Sequence, residues 1–172
     1  MDRGGMAFLC GIRPQAGHDA EVLTQVKSVF GTDANVTILE ELSDIFIVAE
    51  PSEKTLTQLG KIQANPFVLD TQIEVLLTRF SADKEIKIDN VYLVLVDTQP
   101  GKVNAFIESI KQTVDKAGAG NISLLYIGEI FSPRADVAVM MGTNIRSIGE
   151  ISEKIRKLEG VDDTEIYTLQ RT

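Results

Sequence analysis

The chain has one cysteine and one histidine among 172 residues, no tryptophan and five prolines. The lone Cys10 excludes an intrachain disulfide framework and fits a reducing compartment, so a cytoplasmic location is expected. With His18 as the single imidazole there is no paired histidine spacing. There is also no Cys-x-x-Cys and no acidic calcium loop closed by Gly and Glu, so neither a metal nor a cofactor is predicted. Asp162-Asp163 reads as a solvated cap in the turn before a strand. A Ser-His-Asp or Cys-His arrangement would have to use His18, and Cys10, among Phe8, Leu9 and Ile12, reads as a buried thiol. No catalytic residue is therefore assigned. No apolar run approaches the roughly 18 residues of a membrane span, and the N-terminus has no signal-peptide pattern. An excess of basic charge is missing too: 17 Lys and Arg against 25 Asp and Glu give a net charge of −8. Lys154, Arg156 and Lys157 sit among Glu150, Glu153 and Glu159, and no helix-turn-helix segment precedes Met6, so nucleic-acid binding by this chain is not expected. Gly118-Ala119-Gly120 follows a helix and cannot present helix N-terminal amides to a phosphate.

The chain does contain one pattern written twice. Residues 6–13 read as a strand, followed by a helix with Val22, Leu23, Val26 and Phe30 on one stripe. Asp19 is its expected N-cap and Gly31 its stop. Residues 36–41 and 44–49 read as a strand pair around Leu42-Ser43, Ser52 caps a second helix, Asn65-Pro66 breaks it, and 71–78 form a last strand. In the second half, 91–96 is a strand, 101–116 a helix, 122–127 a strand ending at Gly128, and 135–141 a strand after Ser132-Pro133-Arg134. Ile145, Ile148, Ile151, Ile155 and Leu158 then recur at helical steps, Gly160 stops the helix, and 164–169 alternate as a strand. Each half reads β-α-β-β-α-β, the ferredoxin-like arrangement. Val68-Leu69-Asp70-Thr71-Gln72-Ile73 aligns with Val161-Asp162-Asp163-Thr164-Glu165-Ile166, and Gly17 with Gly101, which predicts an internal repeat. The expected domains are residues 6–80 and 90–172, joined by the polar linker 81–89. Two helices cover only one face of such a sheet, and the other must be buried as well. Packing the two sheets face to face within one chain does this, and Tyr92–Val96, apolar at both parities, suits a strand covered on both sides.

Several details carry a resemblance: Pro100-Gly101-Lys102-Val103 opening a helix, Gly128 closing a strand, Asp136-Val137-Ala138-Val139, Glu153-Lys154-Ile155-Arg156, and Gly160-Val161 followed by Thr164. Together they resemble the effector-binding domain of the Lrp/AsnC regulators, here without its DNA-binding half. The fold class that follows is α+β, tandem ferredoxin-like (βαββαβ) repeats packed sheet to sheet as a dimeric α/β barrel-like pseudo-dimer. The resemblance implies a ligand site at Gly128, Asp136 and Thr164, with Asp44 and Thr71 as first-half counterparts and Glu41 in place of the glycine. Arg134, in the intervening loop, would neutralise an acidic ligand. The family spaces its Gly and Asp by two residues, whereas seven separate Gly128 from Asp136.

The function so implied is a stand-alone small-molecule effector-binding or regulatory module, its effector of amino-acid type, more a sensor than an enzyme. Open edge strands predict a homo-oligomer, with neither nucleic acid nor membrane as partner. The alternative is a dimeric α/β barrel enzyme acting on a small organic substrate; a purely structural assembly protein is a third reading. Heme-degrading and quinone-forming enzymes on related barrels usually depend on a histidine or a polar interior, and neither is evident in these residues.

Overall fold

The computed structural model describes residues 5–31, 33, 36–41, 44–82, 90–116, 122–143 and 145–171. The first repeat consists of β1 (Met6–Pro14), α1 (Asp19–Phe30), β2 (Val36–Glu40), β3 (Ile45–Ala49), α2 (Glu53–Gln63) and β4 (Val68–Ser81). The second consists of β5 (Asn90–Thr98), α3 (Val103–Lys116), β6 (Ile122–Ile130), β7 (Val137–Thr143), α4 (Ile145–Arg156) and β8 (Val161–Arg171). The fold class is α+β, two βαββαβ repeats of ferredoxin-like topology, as the alternation predicts. Gly17 and Gly101, aligned by the repeat, both have left-handed backbones, with φ of 85° and 79°. Only glycine takes that conformation cheaply, so each marks the turn that aims its helix back along its sheet.

The chain divides into two compact units, Met6–Val75 with Gln170–Thr172, and Leu76–Leu169 with Met1–Gly5. In the Met6–Val75 unit the strand order is β4-β1-β3-β2, with the last residues of β8 beside β2. In the Leu76–Leu169 unit it is β8-β5-β7-β6, with the second half of β4 beside β6. Each unit has its own core under its own helices. Val22, Val26 and Phe30 of α1 with Leu59 and Ile62 of α2 pack on Cys10, Ile12, Ile38 and Ile47. Phe106, Ile110 and Val114 of α3 with Ile151 and Ile155 of α4 pack on Val94, Val96, Ile127, Val139 and Met141. The spacings of three and four that put these side chains on one helical stripe are the ones legible in the sequence. Each such buried side chain contributes roughly 1.5–3 kcal/mol of transfer free energy. Among the described residues no helix is long and apolar enough to cross a membrane.

Local boundaries differ from expectation in ways that matter. Ser52 caps α2 as predicted, its Oγ accepting from the Thr55 N–H at 3.1 Å. On α1, however, His18 takes the cap position without a side-chain bond to the helix backbone, and Asp19 is the first helical residue. Asp19 favours this end through its charge against the helix dipole instead. Strand β6 runs through Gly128 to Ile130, so Gly128 lies inside a strand, opposite Thr78 on one side and Ala138 on the other. Strand β8 starts at Val161, which puts Asp162 and Asp163 within it rather than in a turn. Leu42-Ser43, Gly118-Ala119-Gly120 and residues 83–89 of the expected linker lie outside the described residues.

Cys10 is buried, and burial pushes its thiol up from 9.0 to about 12. The unfolded thiol ionises first, so this group's contribution to stability is complete below pH 9 and is lost as pH rises toward 12. Urea unfolding at stepped alkaline pH should therefore show stability falling from about pH 9 upward. The decline should be shallower in Cys10→Ala over the same range, and identical slopes would contradict the assignment.

Candidate functional site

Alternation along a regular strand places residues i and i+2 on one face, so a bulge is needed to reverse them. The Leu76–Leu169 unit has two such reversals, on neighbouring strands. In β4 the register against β6 shifts between Thr78 and Phe80; Thr78 stands opposite Gly128, while Phe80 packs into the core beneath α3 and α4. In β6 the register against β7 shifts between Leu124 and Tyr126. Leu124 accordingly packs into the helix-side core and Tyr126 turns to the other face. Arg79, the extra residue of the β4 bulge, is tied to Glu129 of β6 by an ion pair.

The two reversals bring Tyr126 and Thr78 together on the sheet face opposite the helices. The register places Leu76, Leu93, Leu95, Ile130, Ala138 and Met140 on that same face, and all six are buried. Within this apolar field the Tyr126 hydroxyl lies 3.1 Å from Thr78 Oγ1. Burial raises the Tyr126 phenol above its ordinary value of 10.0, and the Thr78 hydrogen bond partly offsets this. The phenol is thus neutral throughout the physiological range, a hydrogen-bond donor rather than a base.

Gly128 explains why the ring can lie there. A Cβ at Gly128 would stand 2.6 Å from the Tyr126 hydroxyl oxygen and 2.7 Å from a ring carbon. The tyrosine covers the bare backbone two residues further along its own strand, and any side chain at Gly128 would displace it. Tyr92, by contrast, shares the helix-side parity of Val94 and Val96, and its buried hydroxyl has no hydrogen-bond partner among the described residues.

A second polar group lies at the end of β5. Asp136 Oδ2 accepts from the Thr98 N–H at 2.9 Å and from Thr98 Oγ1 at 2.8 Å. Asp97 beside it is exposed, yet its carboxyl titrates above the usual range. The causes are desolvation first, then the charges of Asp136 and Asp162, a hydrogen bond to Asp136, and the charge of Asp163. Asp136 is held as an acceptor by Thr98, and Asp97 keeps its proton to a higher pH than an ordinary aspartate.

The residues singled out from the sequence are distributed differently. Gly128 and Asp136 lie in this unit, the first beneath Tyr126 and the second against Thr98. Thr164 is buried in β8, where its hydroxyl accepts from Arg156 Nε at 2.9 Å. Arg134 is exposed in the β6–β7 loop, its N–H donating to Ser132 Oγ at 3.2 Å. Asp44 and Thr71 belong to the other unit, Asp44 lying 3.6 Å from Arg13 and Thr71 half-buried in β4. Thr78, Tyr126 and Asp97 went unread in the sequence; the one signal for them was a lone Tyr-x-Gly in an otherwise aliphatic strand.

Among the described residues the donor set does not fit a haem or metal ligand sphere. His18, the single histidine, stacks on Phe67 at 3.8 Å and 7°, with Nδ1 3.2 Å from Glu21, at the start of α1. The Cys10 thiol holds its proton to about pH 12. Among the described residues no three His, Cys, Asp or Glu side chains are grouped to hold a metal ion.

No family model matches the chain, and no curated protein matches it. Solved structures do, over nearly its whole length. A Fusobacterium nucleatum protein assigned to the monooxygenases is similar at TM-score 0.68 and 12% identity, covering 99% of this chain and 94% of that one. An anthrone oxidase-like protein is similar at TM-score 0.63 and 7% identity, covering 99% and 92%. A chlorite dismutase mutant from Candidatus Nitrospira defluvii is similar at TM-score 0.66 and 6% identity, covering 99% and 92%. At these identities the likeness establishes the fold. It also corrects the Lrp/AsnC resemblance and the regulatory, effector-binding reading drawn from it, because the full-length likeness runs to enzyme-type proteins of the dimeric α/β barrel kind. Of the matching features, Gly101 and Gly160 are turn glycines with left-handed backbones, which belong to the turns of this topology. Gly128 in mid-strand, moreover, leaves no Gly-x-x-Asp hairpin turn.

Two substitutions test this geometry. Gly128→Ala should cost about 1–3 kcal/mol in urea unfolding, because the methyl overpacks the ring; a cost near zero would show that the ring lies elsewhere. Asp136→Asn removes the strongest charge acting on Asp97, so the Asp97 carboxyl should titrate at lower pH by NMR. An unmoved titration would remove the coupling.

Proposed function

We propose that this chain is an enzyme of the dimeric α/β barrel type acting on a small, largely apolar organic molecule. The observation that carries the reading is the Tyr126–Thr78 hydroxyl pair, set by two bulges into a buried aliphatic face. A neutral phenol in an apolar setting is suited to donate to a carbonyl or enolate oxygen on a flat hydrocarbon frame. Donors aimed at an oxygen that gains negative charge count most where water is excluded. With Thr78 Oγ1 donating to the phenol oxygen, the phenol O–H is left to donate to the substrate. The enzyme-type names of the structurally similar proteins support the same class of function. Gly128 enters this reading as the floor beneath the ring and Asp136 as the carboxylate that raises its neighbour Asp97. Thr164, Arg134, Asp44 and Thr71 have no part in it. The reading takes residues 6–80 and 90–172 as its two repeats.

Anthrone, which gives one of the similar proteins its name, is a fitting probe: a flat hydrocarbon with one carbonyl oxygen and an acidic methylene. Its oxidation by dioxygen turns that methylene into a second carbonyl, one oxygen atom entering the product and the other leaving as water. The chain should accelerate quinone formation and oxygen uptake over buffer, and Tyr126→Phe should lose about 10²-fold in rate, the usual loss for one such donor. Unchanged turnover in Tyr126→Phe would remove the hydroxyl pair from the chemistry. If the chain neither turns over anthrone nor is stabilised against heat by flat aromatic ketones, the enzyme reading fails.

A further inference from the structure

Alternation along β5 places Leu93, Leu95 and Asp97 on one face, the face that carries Tyr126, and leaves Val94 and Val96 beneath the helices. Leu93 and Leu95 are buried and Asp97 is exposed, so this face passes from hydrocarbon to solvent at Asp97. The register fixes where that carboxyl stands relative to the hydroxyl pair. Leu95, Ala138, Gly128 and Thr78 form one row across β5, β7, β6 and β4. The Tyr126 ring lies over Gly128 in that row. Asp97 is one two-residue step beyond the row and two strands from Gly128, which sets the two backbones about 12 Å apart. One sheet face thus carries a neutral phenol in its dry interior and a carboxyl at its wet rim.

The surroundings of Asp97 suit a proton acceptor. Beyond desolvation, the charges acting on it are those of carboxylates: Asp136 just before β7, and Asp162 and Asp163 of β8. Each raises its affinity for a proton, and a carboxylate of raised affinity is the stronger base at neutral pH. Asp136 is itself held through Oδ2 by the Thr98 N–H and hydroxyl. Gln99 Nε2 donates to Asp162 Oδ1 at 3.4 Å. The hydrogen bond between Asp97 and Asp136 favours a protonated Asp97, which is the state a base reaches once it has taken a proton. Exposure then lets that proton pass to water.

We propose that Asp97 is the base of the reaction, taking the proton from an acidic C–H of the substrate while Tyr126 donates to the substrate's carbonyl oxygen. The C–H bond breaks and its proton forms an O–H on the Asp97 carboxylate. The electron pair moves through the ring to the carbonyl oxygen, leaving an enolate held by the Tyr126 O–H. The separation of the two groups suits a carbonyl and an acidic C–H on opposite sides of one ring, the arrangement in anthrone. The inference rests on the enzymatic reading and adds to it the residue that starts the reaction.

Two measurements with anthrone separate this step from the oxidation. Without dioxygen and in deuterium oxide, the chain should speed deuterium entry into the methylene over buffer. With dioxygen, kcat/KM should fall on the acid side, with a midpoint above the ordinary aspartate value of 3.8. Asp97→Asn should keep its far-UV circular dichroism and Tm, because the side chain is exposed. It should lose about 10²-fold or more in both rates, the usual loss for a positioned base, and its residual oxidation should lack the acid limb. Asp136→Asn should keep the limb and move it to lower pH, and Tyr126→Phe should be slow with the limb unmoved. An Asp97→Asn variant that exchanges and oxidises like wild type overturns the proposal, and the enzymatic reading survives if Tyr126→Phe is still slow. An acid limb that persists in Asp97→Asn, or stays in place in Asp136→Asn, also overturns it. A wild type that neither exchanges nor oxidises anthrone removes the proposal and the enzymatic reading together.

Discussion

Everything distinctive about the second half of this molecule depends on a steric constraint: Gly128 has no side chain, and the Tyr126 ring occupies the space one would fill. That contact needs Tyr126 on the face away from the helices, although Leu124, of the same parity, is in the helix-side core. The β6 bulge reconciles the two, and the β4 bulge does the same for Thr78 and Phe80. The aliphatic residues on both faces hold the sheet in place whatever the two bulges do. What the bulges add is a pair of hydroxyls in a setting that is otherwise hydrocarbon. Undoing either reversal would leave a stable sheet with Tyr126 or Thr78 on the wrong side.

The topology was legible because it rests on periodicity. Val22, Val26 and Phe30, or Ile107, Ile110 and Val114, repeat at helical steps, and turn glycines such as Gly17 and Gly101 punctuate them. Two copies of one pattern in 172 residues leave few ways to bury the sheets. The site was not legible for the complementary reason. A bulge is a break in periodicity, and Arg79 in a strand looks like any other residue. Strict alternation places Tyr126 with Leu124 and Thr78 with Phe80, the opposite of what the structure shows. Gly128 was read as a strand stop because glycine usually weakens strands, whereas here its bareness is used for close packing.

The functional misreading has the same origin. Pro100-Gly101, Gly160-Val161 and the terminal turn of the last helix describe how a ferredoxin-like repeat turns its corners, and unrelated proteins of that topology turn them alike. A ligand site inferred from such corners inherits only the fold. Asp136, from that set, accepts from the Thr98 N–H and hydroxyl and lies beside Asp97. Thr164, which the same reasoning placed at a ligand, is engaged by Arg156 from within its own repeat.

The most direct measurement of the central claim is proton NMR of Gly128 and Tyr126. A ring lying over the glycine shields its α-protons, so at least one Gly128 Hα should be shifted well upfield, with cross-relaxation to the Tyr126 ring and from that ring to the Thr78 methyl. Both signals should vanish in Tyr126→Leu. Ordinary Gly128 shifts, with the Tyr126 ring showing contacts to Ile107 or Val139 in the helix-side core, would place the ring on the other face and contradict the account.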